Sequence, residues 1–187
     1  MSPSQAFLNI QEQDHFWVKV LEKHTLAELN HKPSEEEWSI GQLLNHLIFI
    51  NQTLLKQIEI CVEKQGIYDT KSPKLGSAVI LFFNRLPPMK FKVPKVIDKI
   101  PAQPSNKEEL HQKFKNILAA ASAIAEKVKS ASPHYKVVHP SMGALSAKEW
   151  LQFMSIHMKH HRRQYSKLKE LLKNESSQPA RKFKQMA

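Results

Sequence analysis

An all-α fold, a four-helix bundle of the up-and-down type with one long crossover connection, is what the pattern of this sequence specifies. Four long stretches place apolar residues at the 3.6-residue spacing of an amphipathic helix. Only 4 glycines interrupt the 187 residues, and the 11 prolines gather in a few places. No long stretch alternates apolar and polar residues as a half-buried strand does. Helices that each carry one apolar stripe, separated by proline-rich breaks, bury those stripes by packing on one another.

The first helix is predicted from about Ser4 to Asn30, where Phe7, Ile10, Phe16 or Trp17, Val20, Leu21 and Leu26 recur at helical spacing. The HKPSEEE stretch breaks it. Ser34, followed by three glutamates, suits an N-cap with a negatively charged first turn; Ser39 is the alternative cap. The second helix then runs to about Gln65 and stops at Gly66, with Ile40, Leu43, Leu44, Leu47, Ile50, Leu54 and Ile58 as its stripe. From Ile67 to Pro104 the pattern weakens. Pro73–Leu86 reads as a shorter helix, and Pro87, Pro88, Pro94, Pro101 and Pro104 make Lys90–Gln103 a loop, because proline lacks the N–H that a helix interior requires. This region is the crossover. The third long helix starts near Ser105, with Glu108 completing a capping box, and ends near Ser130. SPHYKVVHPSMGAL reads as a second loop. Ser146 and Glu149 repeat the capping box and open the last helix, Ala147 to about Lys173. Residues 1–173 thus form a single helical domain, and 174–187, NESSQPARKFKQMA, a polar basic tail.

Apolar residues make up 41% of the chain, enough for one globular core and too many for general disorder. The single cysteine, Cys61, excludes an internal disulfide framework and suits a reducing compartment. The N-terminus lacks the basic start and continuous apolar stretch of a signal peptide, and the AVILFF run is far short of the ~20 residues of a membrane span. A cytoplasmic protein without membrane partners is expected. The formal charge is +11, which raises the question of an anionic partner. The excess is spread along the chain as KSPK, MKFKVPK, KVK, HRRQYSKLK and RKFK, without interleaved aromatic platforms, which argues against nucleic acid.

Chemistry gathers on the last helix. SIHMKHHRRQ holds His157, His160 and His161. His157 and His161 are four apart, so they share a face with Trp150, Phe153, Met154 and Leu168 and project toward the bundle interior. Such a pair can bind one borderline metal ion, although HxxxH alone is a weak signal. His157 and His160, three apart, also share a face; His160, beside Arg163, is taken as the surface residue. A third ligand has to come from another helix. In WSIGQLLNHLIFI of the second helix, His46 lies on the buried stripe between Leu43 and Ile50. For His46 alone, a neutral core histidine bonded to a carbonyl is the simpler reading. Two histidine-bearing apolar faces in one bundle shift the balance toward a metal site. His15, His24, His31, His111 and His134 sit in polar surroundings and are expected at the surface, and whether His139 reaches the site is left open.

WSIGQLLNHL and, far downstream, EWLQFMSIHMKHHRRQ resemble the DinB-like superfamily of four-helix-bundle metalloproteins, which includes bacillithiol-transferase-like enzymes. Trp38, His46, His157, His161 and Gln164 match its pattern. HPSMGALSAKEW, with His139, Pro140, Gly143 and Trp150, is similar to the lead-in of a subgroup of unknown function. The resemblance implies a divalent ion, zinc, nickel or similar, held by His46, His157 and His161. It supplies no substrate; a small molecule is the partner expected of such a site. No catalytic side chain can be named.

Three neutral imidazoles leave the +2 charge of an ion unneutralised and at least one coordination position open. A water there would have its pKa lowered, to roughly 7 in the best-known three-histidine zinc site, and a thiol could be held as thiolate. Hydrolysis and metal-activated thiol transfer both follow, and the resemblance favours the second. The rival from another class is a non-catalytic metal- or ligand-binding module. The resemblance, together with unused apolar positions such as Phe49 and Phe82, leads us to expect a homodimer.

Overall fold

The computed structural model describes residues 1–87 and 100–177. Four long helices form the body: α1 (Pro3–Lys23), α3 (Ile40–Val62), α5 (Lys107–Val128) and α6 (Ala147–Ser177). Two short ones, α2 (Leu26–Asn30) and α4 (Leu75–Phe83), lie in the connections. α1 packs on α5 and α6, and α3 packs on the same two. The order around the bundle is therefore α1, α5, α3, α6, with the consecutive long helices α1 and α3 on a diagonal. Trp17, Leu43, Leu44, Leu47, Ile58, Phe114, Met154 and Leu168 fill the centre with no solvent exposure. Shortening any of these leucines to alanine would cost about 2–5 kcal/mol, by lost burial and the cavity left behind. The indole Nε1 of Trp17 donates to the carbonyl of Met158 at 3.2 Å and ties α1 to α6.

The helix starts follow side-chain chemistry. Ser2 accepts from the Gln5 amide at the head of α1. The expected Ser4–Asn30 helix is broken at His24, because Thr25 and Glu28 form a capping box that starts α2 afresh. Ser39, not Ser34, caps α3: its hydroxyl accepts from Gln42 N–H, and the Gln42 side chain accepts from Ser39 N–H. Asn106, one residue beyond Ser105, caps α5 through Glu109 N–H. Before α6 the Glu149 carboxylate accepts both the amide and the hydroxyl of Ser146, at 2.8 Å each.

The expected loop before α6 contains a hairpin, β2 (Tyr135–His139) and β3 (Gly143–Ser146). With β1 (Ile67–Tyr68) it makes a three-stranded antiparallel sheet in the order β1-β2-β3. Val137 faces Leu145 and His139 faces Gly143 across the hairpin. Gly143 has φ +80°, which favours glycine. Ser77 of α4 donates to the Met142 carbonyl at 2.6 Å and fixes the turn. α4 confirms the short helix expected within Pro73–Leu86. Of the expected Lys90–Gln103 loop, residues 90–99 lie outside the described residues. From residue 100 the chain is irregular and lies along α3: Gln42 donates to the Pro101 carbonyl at 2.9 Å and Asn45 to that of Ala102 at 2.8 Å. α6 runs to Ser177, past the expected end at Lys173; the rest of the expected tail, 178–187, is outside the described residues. Among those described, no helix is long and apolar enough to cross a membrane.

Candidate metal centre

α3 and α6 are neighbours, and each turns one apolar stripe toward the other. His46 interrupts the first stripe; His157 and His161 interrupt the second, one helical turn apart. The Nε2 atoms of His46 and His161 are 3.2 Å apart, and those of His161 and His157 are 3.1 Å apart. All three donor atoms lie within 4.8 Å of one another. Two ligands at ~2.05 Å from one ion are about 2.9 Å apart at a right angle and about 3.3 Å apart at the tetrahedral angle. The separations of these two pairs fall between these values, and the third pair, His46 and His157, lies within 4.8 Å. The donor set is all imidazole and contains no carboxylate, which suits a borderline divalent ion better than a hard one. On both counts the three residues fit such an ion.

Protonation agrees with this fit. Burial pushes the pKa of His46 down to about 4. Burial, then the charge of His46, takes His161 to about 3. His157 lies well below the usual range through burial and the neighbouring His161 and His46. At neutral pH all three rings are therefore uncharged, each with one lone pair to offer. The Nδ1–H of His161 donates to Gln164 Oε1 at 2.9 Å, which leaves its Nε2 bare and aimed at the other two rings. Partners of this kind for the outer nitrogens are expected of all three histidines. His161 has one, whereas His157 Nδ1 is buried without a partner among the described residues. Trp38 packs on His46 with ring centres 5.2 Å apart and sets the tilt of that ring.

The remaining histidines sort differently from the surface assignment. His160 stays out of the converging group, as expected, but is half-buried beside Arg85, Lys159 and Arg163 rather than exposed. His24 is half-buried and bonds to the Tyr165 hydroxyl at 3.2 Å. His139 is half-buried against Phe153 and Trp150, with ring centres 4.8 and 5.3 Å away. Its placement depends on the hairpin, which periodicity does not reveal. Cys61 is buried, and burial raises its thiol pKa to about 11, so it cannot serve as a thiolate.

A cavity of about 490 Å³ opens beside His46, between α3, the start of α5 and residues 100–106. Ile48, Phe49, Ile100 and Leu110 make its apolar wall, and Asn45, Gln52 and Lys113 its polar edge. Through His46, the site borders a space large enough for a small molecule.

A helical bundle with a histidine triad shared by two adjacent helices is the architecture of a known class: the family model of the DinB superfamily matches residues 11–165, and the chain belongs to that superfamily. Its similarity to YuaE, an uncharacterized protein of Bacillus subtilis (strain 168), is 29% identity over 142 residues, 76% of this chain and 83% of that protein. In fold it is similar to YfiT from Bacillus subtilis, described as a probable metal-dependent hydrolase with an unusual four-helix bundle topology. That likeness has a TM-score of 0.60 and covers 93% of this chain and 87% of the other. At 11% identity it shows the fold alone.

Proposed function

We propose that this chain is a divalent-metal-dependent enzyme acting on a small molecule, with His46, His157 and His161 as the metal ligands and hydrolysis as the reaction. The observation that carries this reading is the convergence of three neutral Nε2 atoms from two helices, at 3.1 and 3.2 Å, beside an open cavity. An ion held there supplies a Lewis acid with at least one open position, where a water or thiol has its pKa lowered.

The chain's own residues do the rest. Gln164 holds His161 in the tautomer whose Nε2 is bare. Trp38 limits rotation of His46. The apolar wall of Phe49 and Leu110 takes the non-reacting part of a substrate and removes water from it. A closed, purely structural site is disfavoured because His46 and His157 are both partly exposed. The hydrolytic reading also draws on the description of YfiT.

Thiol transfer is the second reading. Its specific support is that no carboxylate joins the three histidines among the described residues, so a water would lack an adjacent base. A thiol, with a pKa of ~8.5, needs none. Since Cys61 is sealed in the core, the thiol would come from a second substrate. We place the protein in the cytoplasm and regard nucleic acid and membranes as unlike partners for it.

Metal analysis of protein purified without an affinity tag tests the reading. About one divalent ion per chain is expected, lost in His157→Ala and His161→Ala. A tag-free protein that takes up no zinc, nickel or cobalt refutes it. Hydrolysis and transfer are then separated by assaying the loaded protein on ester and amide substrates with and without added thiol.

A further inference from the structure

His139 ends β2, just before the hairpin turn through Pro140, Ser141 and Met142. Its Nδ1 accepts two backbone N–H groups, from Ser141 and Met142, at 3.1 Å each. A nitrogen that accepts two hydrogen bonds carries no proton, so the hydrogen of the neutral ring is on Nε2. This Nε2–H has no hydrogen-bond partner among the described residues, and the ring is partly open to solvent. The turn is held from outside as well, since Ser77 donates to the Met142 carbonyl at 2.6 Å. His139 cannot swing away without breaking the turn.

The held donor lies next to the triad. The His139 ring packs on Phe153, with centres 4.8 Å apart, and Phe153 packs on His157 at 6.1 Å, one turn further along α6. A fixed N–H with no partner among the described residues, one ring away from a candidate metal ligand, is a donor available to a substrate oxygen bound on that side of the site.

We propose that His139 is a fourth histidine of the site, whose Nε2–H is a preset donor to a carbonyl or carboxylate oxygen of the substrate. This rests on the metal-site reading above and adds the substrate class: a small molecule presenting a carboxylate, ester or amide oxygen. The competing role is purely structural, a staple for the turn. The two nitrogens of the ring separate the roles. Asparagine places a side-chain oxygen where Nδ1 stands and can keep the staple, but it has nothing at the position of Nε2. Glutamine reaches the Nε2 position with an N–H and gives up the staple.

The test uses the full chain and two readouts. In metal-free protein, long-range ¹H–¹⁵N spectra of the His139 ring should show the Nε2–H tautomer at pH 7; an Nδ1–H ring overturns the proposal whatever the metal does. In Co²⁺-loaded protein, acetate is the probe, followed by the visible absorption of the ion and by the His139 Nε2 shift. Wild type should respond in both. His139→Asn should keep its Co²⁺ affinity and melting temperature but bind acetate roughly five- to tenfold more weakly, the worth of one hydrogen bond. His139→Gln should recover part of that binding. Acetate binding unchanged in His139→Asn, or no response to acetate in loaded wild type, reduces His139 to a turn staple and leaves the metal reading standing. A wild-type chain with no Co²⁺ spectrum removes the metal reading and this proposal together.

Discussion

Replacing Asp14 with asparagine should stabilise this protein at neutral pH and lose that effect in acid. Asp14 lies in α1 with 7% exposure, and its Oδ1 has no hydrogen-bond partner among the described residues. Burial raises its pKa from 3.8 to about 6, an effect only partly offset by His111. The sign follows from which state holds the proton. Below pH 3.8 the carboxyl is protonated in folded and unfolded chains alike, and the folded state carries no penalty. As pH rises toward about 6 the unfolded chain releases its proton while the folded one retains it, so stability falls. Above about 6 the buried carboxylate is charged and the loss is complete. A rise of about 2 pKa units at about 1.4 kcal/mol each bounds the loss near 3 kcal/mol. Screening by nearby water reduces this to about 1–2 kcal/mol. Asparagine never ionises, so the variant should be more stable by that amount at pH 8, or by a few degrees in Tm. Urea unfolding of both proteins from pH 8 to pH 5 provides the assay, with the gap narrowing as pH falls through 6. A difference that is constant over this range, or an asparagine variant less stable at pH 8, would refute the reasoning.

Gly41→Ala tests the seam between α3 and the returning crossover. A Cβ there would lie 2.6 Å from Pro104 Cδ and 2.9 Å from the Leu29 carbonyl oxygen. The helix-propensity gain of ~1 kcal/mol should be outweighed by overpacking of about 1–3 kcal/mol, so thermal melting should show a lower Tm. His160→Ala should leave the metal content unchanged while His157→Ala abolishes it; equal losses by elemental analysis would mean that the wrong face of α6 was assigned. Gln164→Leu, which removes the acceptor on His161 Nδ1, should weaken metal binding about 10–100-fold in a competition titration with a chelator. The exposed Phe49 and Phe82, at 59% and 83%, underlie our proposal of a homodimer, and a monomeric mass by analytical ultracentrifugation at tens of micromolar would count against it.

Periodicity carried the long helices because each must bury a continuous stripe, and Leu43, Leu44, Leu47 and Ile58 do so completely. The same reasoning exposed the triad: an ionisable residue on an apolar stripe needs a reason, and His46, His157 and His161 share one. The sheet was not legible, because a two-residue β1 and the short strands of the hairpin are too brief for alternation to register. The break at Thr25 left a readable sign, the Thr-x-x-Glu spacing to Glu28, which the apolar spacing from Leu21 to Leu26 overrode. The burial of His139 had no local sign at all, since Trp150 and Phe153 come from another element.

His46 and His161 are separated by 115 residues and come from the second and last of the long helices. During synthesis α6 is the last of these helices to leave the ribosome, so the chain spends most of its time there with one ligand and no site. Closing so long a loop is entropically demanding, and the contacts that reward it arrive late. An ion at the triad would therefore join the two ends of the folding process, binding the finished bundle and no earlier intermediate. Its uptake would serve as a clock for the final docking of α6, readable by stopped-flow absorbance with Co²⁺ as the dye.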